Sequence, residues 1–276
     1  MVQRNRAEGW KHAKRSGHDN EILAEEMIQN DPEVRNKFLT LADKANCEIT
    51  SIKASGLKEK NVESILGGMK TKSKTDLYIF LDDGSYLNVS IKKSGGGQVY
   101  LISTSRFING FEKHFRKLIP HDAKKGMELF WGSAHDTSSI IEQYGNSYLD
   151  YETRKNRIVA DTLLKYDKNL YFNLLKWFSE NIILVTEFCF SRGLAKNETD
   201  WADIIWYINK LEENDINEFF PLKKLYKTKM NNINYGSKNG GTTIQLPFGF
   251  VQWHQGQMQY HHNYYKIKTL YNELEN

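Results

Sequence analysis

A carboxylate at position 76, a hydroxyl at 90 and an amine at 92 are the side chains whose types and spacing could do chemistry together. They fall at the two ends of the run Asp76-Leu77-Tyr78-Ile79-Phe80-Leu81-Asp82-Asp83-Gly84-Ser85-Tyr86-Leu87-Asn88-Val89-Ser90-Ile91-Lys92, which alternates like two strands around a turn. A three-residue loop, Asp82-Asp83-Gly84, with Gly84 in the left-handed position, is a favoured hairpin closure. It sets Leu81 opposite Ser85 and, counting back, Asp76 opposite Ser90. Leu77, Ile79, Leu81, Leu87, Val89 and Ile91 then share one face. A two-residue Asp83-Gly84 turn would set the apolar row of one strand against the polar row of the other. A slip by one residue turns a strand over, so burial selects the first register. The opposite face carries Asp76, Ser90 and Lys92 within cross-strand or diagonal reach.

Such a triplet suits metal-assisted chemistry on a phosphate. A carboxylate attracts a hard cation such as Mg²⁺, which keeps several waters and bridges to phosphate oxygens. The ion stabilises charge on a phosphodiester and acidifies a bound water. A lysine beside it has a lowered pKa and can orient or deprotonate that water. Ser90 offers only a neutral oxygen, so a second carboxylate is wanted. Glu21, in the first turn of a helix, and Glu112, on the helix after the third strand, are the candidates. The competing reading is a solvent-facing hairpin, on which acid–lysine diagonals are ordinary.

The elements that must position these groups are legible along the chain. Asp19 can cap a helix to about Gln29, with Ile22, Leu23 and Ile28 inward. Asp31-Pro32 reads as cap and first position of a second helix, with Val34, Phe38, Leu41 and Ala45 at helical spacing. Cys47 to Lys53 alternates like a short strand, and Ser55 to Lys74 breaks the pattern. Gln98 to Ser103 predicts a strand, and Phe107 to Leu118, Thr153 to Lys165 and Leu170 to Cys189 predict helices. Asp203 to Ile208 reads as another strand. Asn214 to Gly241 reads as loop-rich, and Thr242 to Gln245 with Met258 to Lys268 as a late β element. Strands mixed with helices, without strict alternation, point to an α/β core with additions.

Composition sets the bounds. The chain has 276 residues, 39% apolar and 26% charged, an ordinary globular mixture that excludes wholly disordered, collagenous and coiled-coil classes. Its 38 Lys+Arg against 34 Asp+Glu leave +4, which permits nucleic-acid binding without demanding it. Cys47 and Cys189 make no metal-spaced pair and suit a reducing interior. The N-terminus is polar and basic, and Ile182 to Phe190 is too short to cross a bilayer. The expectation is a soluble, cytoplasmic protein without membrane contact.

Gly67-Gly68, Lys74-Thr75-Asp76 and Asn88-Val89-Ser90-Ile91-Lys92-Lys93-Ser94 resemble the catalytic core of PD-(D/E)XK nucleases. They are most similar to the small MspI-like and GCGC-cutting group of type II restriction endonucleases. Three further stretches agree in order: Gly17 to Glu26, Ile182 to Gly193 and the tail from Asn234 to Leu270. The resemblance implies a PD-(D/E)XK (restriction endonuclease-like) α/β fold, a mixed central sheet flanked by helices, with extra helices and a C-terminal β element. It implies a single domain over 1–276, with a catalytic core of about 15–120 and a helical insert and DNA-recognition region of about 121–276. It implies Mg²⁺-dependent hydrolysis of double-stranded DNA at a short, four-base-type sequence. A cognate methyltransferase protecting the same site, and a monomer or weak dimer, are implied too.

Carried over by position, Asp76 and the main-chain carbonyl of Ile91 bind metal, Lys92 positions the attacking water, and Glu21 matches the family's helix-one acid. Two departures stand out. Thr75 replaces the motif's Pro, at a position expected to contribute backbone only, and Ser90 stands where an acid or amide is usual. The second departure keeps a rival open, a non-catalytic or structure-specific DNA-binding or repair protein of the same fold.

Base edges are read by Arg or Lys, by Asn or Gln and by acids, while phosphates are met by cations. Lys93 and Gln98 follow Lys92 closely in the chain, and Arg106 opens the next helix. Asn231, Asn232, Lys238 and Asn239 lie in a Gly-rich segment, and Gln245 follows it. These are the candidate DNA-binding residues. Gly95-Gly96-Gly97 is not a nucleotide-phosphate loop. His254, His261 and His262 lack zinc spacing. Trp201, Trp206, Tyr207, Trp253, Tyr260, Tyr264 and Tyr265 could stack on bases, although aromatics at strand spacing more often form core.

Overall fold

The computed structural model describes residues 21–55, 61–145, 157–209 and 216–275. Asp19 and residues 56–60 lie outside them, as do the expected helix residues before Arg157. The chain divides into two compact units, one of residues up to Gly95 with Phe190–Lys227, the other of Gly96–Cys189 with Thr228–Asn276. The chain leaves the first unit after Gly95, builds most of the second, and returns.

The first unit holds α1 (21–30), α2 (Pro32–Leu41), β1 (Ile49–Ala54), the short pair β2 (Asn61–Glu63) and β3 (Lys70–Lys72), then β4 (Leu77–Leu81) and β5 (Tyr86–Lys92). After the second unit's β6 (Gly96–Ser103) and five helices come its remaining strands, β7 (Ile204–Asn209) and β8 (Ile216–Pro221). The sheet order is β1-β4-β5-β7-β8. Every neighbouring pair is antiparallel except β5 and β7, which run parallel, so the sheet is mixed.

The hairpin has the register that burial selects. Leu77 pairs with Val89 and Ile79 with Leu87, Leu81 N donates to Ser85 O at 2.9 Å, and Gly84 adopts φ 79°. Leu77, Ile79, Leu81, Leu87 and Val89 are buried with Ala24 and Ile28 of α1, Phe38 and Leu39 of α2, and Ile204, Trp206, Ile208 and Phe219 of β7 and β8. Asp31 caps α2 by accepting from Glu33 N and Val34 N, with Pro32 in the first turn. Two helical expectations change. Ile22 is exposed and Ala24 takes the buried position instead, while α2 stops at Leu41, because Asp43 turns left-handed (φ 58°) and carries Ala45 out to solvent.

The second unit holds β6, α3 (Thr104–Phe115), α4 (His121–Phe130), α5 (Thr137–Tyr144), α6 (Ala160–Tyr166) and α7 (Lys168–Glu187), then β9 (Asn234–Tyr235), β10 (Thr243–Leu246), β11 (Gly249–His254), β12 (Gln257–Asn263) and α9 (Tyr264–Glu275). Its strands form a second sheet, β6-β12-β11-β10-β9. Tyr260 packs on Phe107, which meets Trp177 and Phe188, so an aromatic core lies under one face. Two readings are corrected here. Tyr264 to Lys268 is helix, not strand, and the stretch expected as loop contains β8 and α8 (Leu222–Leu225). Among the described residues no helix is long and apolar enough to cross a membrane.

Candidate active site

Asp76 stands one residue before β4, and Ser90 and Lys92 lie on β5. Asp76 N donates to Val89 O at 2.8 Å, extending the ladder to the end of the hairpin. Asp76 Oδ2 accepts from Ile91 N at 2.6 Å and from Ser90 Oγ at 3.4 Å. Lys92 Nζ donates to Ser90 Oγ at 2.6 Å and reaches Ile91 O at 3.4 Å. The hydroxyl therefore joins the amine to the carboxylate, with the Ile91 peptide beside them. The structure brings these groups together because a hydrogen-bonded ladder places residues 76, 90 and 92 on one side of the pleat.

This side of the hairpin is not a solvated face. Ser90 is 3% exposed and Asn88 wholly buried. Asn88 Nδ2 donates to Thr199 O (3.0 Å) and Trp201 O (2.8 Å), and Asn88 N to Asp203 Oδ2. Thr75 is corrected likewise: its buried hydroxyl donates to Asp200 O, which also accepts from Ser73 Oγ at 2.9 Å. The segment 199–203 thus seals the middle of the hairpin, and Asp76 and Lys92 remain half-buried at its open end.

The electrostatics follow from that depth. Burial pushes the Asp76 carboxyl up, opposed by the Lys92 charge, the Ile91 N–H, Ser90 and Lys74. Burial pushes the Lys92 amine down, opposed by Asp76. Each group thus lies nearer its neutral form than in water. Lys74, noticed in the sequence only as a flank of the motif, acts here as a second positive charge on Asp76.

Of the two acids expected to help, Glu21 belongs to this unit and is tied to the site. Ser55 N donates to Asp76 O at 2.8 Å, while Ser55 Oγ donates to Glu21 Oε2 at 3.4 Å. Ser55, which the sequence marks only as the place where strand alternation fails, is thus the link. Glu112 sits in the second unit, accepting from Ile119 N at 2.7 Å and pairing with Lys124 at 2.7 Å, where it holds the turn between α3 and α4. Among the described residues no group of three or more His, Cys, Asp or Glu could hold a metal. The oxygens that could hold a hard ion are those of Asp76, the Ile91 carbonyl and Glu21. Hard neutral and anionic oxygens of this kind suit Mg²⁺.

The other expected residues belong to both units. Lys93 follows the end of β5 in the first unit and is half-buried. In the second unit Gln98 is exposed on β6, and Arg106 is half-buried on α3. Asn231, Asn232, Lys238 and Asn239 are exposed, and Asn232 and Asn239 are left-handed (φ 66° and 51°). Gln245, on β10, donates to Thr243 Oγ1 at 3.0 Å. Most of the aromatics considered as stacking platforms are occupied. Trp206, Tyr207 and Tyr260 are buried, and Trp201 lies under Arg192, whose guanidinium carbon is 4.1 Å from the ring.

No family model matches the chain, and no curated protein does. Among solved structures it is similar to the restriction endonuclease MspI in complex with its cognate DNA, at 10% identity and a TM-score of 0.45, covering 83% of this chain and 77% of that one. A likeness at this level assigns neither residues nor activity.

Proposed function

We propose that the chain is a metal-dependent nuclease that hydrolyses phosphodiester bonds of double-stranded DNA at a short specific sequence, in the manner of type II restriction endonucleases. The observation that carries this reading is the Asp76–Ser90–Lys92 connection, an acid and an amine held together at the open end of a buried hairpin. Asp76, the Ile91 carbonyl and Glu21 would hold Mg²⁺, which when bound supplies charge neutralisation at the phosphate and an acidified water. Lys92 Nζ orients the attacking water and, with its pKa lowered by burial, can accept its proton more readily than a solvent lysine. Ser90 Oγ accepts from that amine and donates to Asp76, so the two groups cannot rotate independently.

Incubation of plasmid DNA with protein and Mg²⁺, followed by mapping of the ends, tests the proposal. Discrete fragments that disappear in Lys92→Ala and Asp76→Asn support it. Smeared or junction-dependent products favour a repair nuclease with the same chemistry. Retarded but intact DNA favours a non-catalytic DNA-binding protein, a reading to which Ser90, a neutral oxygen where a second acid would sit, lends weight.

A further inference from the structure

The second sheet carries an uncharged polar face. Not one residue of β6, β9, β10, β11 or β12 is charged, in a chain whose charged fraction is 26%. One side of the pleat is nonetheless polar: Gln252 and His254 on β11, Gln257, Gln259 and His261 on β12, Gln245 on β10. These side chains are half-buried, whereas alternate residues such as Val251, Met258 and Tyr260 are fully buried on the other side.

Three of the amides form a ladder across β11, β12 and β6. Gln252 Nε2 donates to Gln259 Oε1 at 2.8 Å and lies 3.2 Å from His261 Nε2, and Gln259 Nε2 donates to Gln98 Oε1 at 2.7 Å. Phe250 stacks flat on His261, centroids 4.5 Å apart and planes 9° from parallel. Burial, and then nearby His254, push the His261 imidazole towards its neutral form. The amides thus fix one another's orientation. The ladder's bonds do not use the amino group of Gln98 or the carbonyl oxygen of Gln252, one donor and one acceptor.

Water-facing sheets generally carry lysines and acids, which keep them soluble and discourage pairing. Phosphate backbones select cations, and protein interfaces select aromatic and apolar centres. This face has no Lys, Arg, Asp or Glu on its strands, and its amides are tied to one another beside the stacked Phe250 and His261. Neutral, pre-oriented amides complement the uncharged donor–acceptor pattern of base edges, for which Asn and Gln are bidentate partners. β11 and β12, joined by a tight turn at Gln255 and Gly256 (φ 51° and 76°), lie inside the five-stranded sheet, so the ladder crosses the face of that sheet.

We infer that the Gln98–Gln259–Gln252 ladder is the surface that reads base edges in duplex DNA. The inference rests on the duplex-DNA reading above and deepens it by assigning sequence preference to these residues. Full-length protein is equilibrated with a randomised duplex pool in EDTA, and the bound fraction is sequenced. Wild type is expected to enrich a short motif. Gln98→Ala, at an exposed position that leaves the fold intact, and Gln259→Leu, which breaks the ladder, each lower that enrichment by about ten-fold or change the preferred base. Their affinity for non-specific duplex and its salt dependence stay within about two-fold of wild type.

Enrichment of the same motif by both variants, no motif in wild type, or equal loss of specific and non-specific binding would each overturn the inference. The pool is bound without divalent metal, so the outcome is independent of cleavage. A protein that selects a motif but never cuts leaves the ladder standing and removes the nuclease. One that cuts at a motif unchanged in both variants does the reverse.

Discussion

Replacing Lys92 by methionine separates chemistry from folding. Methionine keeps most of the lysine stem and removes the amine. The folded state loses a 2.6 Å bond to Ser90 and a 3.4 Å approach to Ile91 O, while Ser90 keeps its bond to Asp76. One such hydrogen bond is worth about 0.5–1.5 kcal/mol net. Against that loss stands the removal of a cation that burial disfavours. Because folding lowers the Lys92 pKa, the folded chain binds fewer protons than the unfolded chain between the lowered value and 10.5, and wild-type stability rises with pH through that window. The variant's relative advantage is therefore greatest below the window and fades as pH approaches 10.5. Asp76, raised by burial, has the opposite slope, its folded form losing stability as pH rises through its raised pKa.

At neutral pH the expected melting temperature of Lys92→Met is within about 4 °C of wild type, or above it. Single-turnover cleavage should fall by about 10²–10⁴, the contribution of a positioned proton-transfer group, or about 3–5 kcal/mol of barrier. Mg²⁺-supported plasmid cleavage and thermal unfolding, read side by side from pH 6 to 10, check both expectations. Cleavage within about ten-fold of wild type would remove Lys92 from the mechanism. A cleavage loss matched by collapse of the melting temperature would make its role structural.

Three further outcomes follow from the same geometry. Ser55→Ala should weaken Mg²⁺ binding, measured calorimetrically, by about 10–100-fold as for groups that orient metal ligands, and Glu21→Gln, which removes a proposed ligand, should weaken it more, with each melting temperature little changed. Asn88→Ala leaves the carbonyls of Thr199 and Trp201 without their buried donors and should cost about 2–4 kcal/mol in urea unfolding. In Gly249→Ala the new Cβ would collide with the His261 carbonyl oxygen, so the β11–β12 pair must separate; a loss of about 3 kcal/mol or more is expected, with loss of hydrogen-exchange protection along β12.

The amino-acid sequence by itself determined the hairpin. Period-two alternation, one glycine in the turn and the cost of burying polar residues leave a single acceptable register, and that register aligns Asp76, Ser90 and Lys92. It also determined the cap at Asp31 and the approximate span of β7, since local hydrogen bonding and β-branched or aromatic runs act over a few residues. Contacts distant in the chain were decided only by tertiary structure. Asn88 and Thr75 find their partners more than a hundred residues away, at Thr199, Trp201 and Asp200, and these turn what reads as a solvated face into a half-buried one. Ser55 becomes the link between Glu21 and Asp76 because β1 pairs with β4, and no local pattern reports a pairing across that distance. Of the ladder's glutamines the sequence singled out only Gln98, and no strand was legible around Gln252. Only the order β6-β12-β11, set by which edges meet when the aromatic core closes, makes them a ladder.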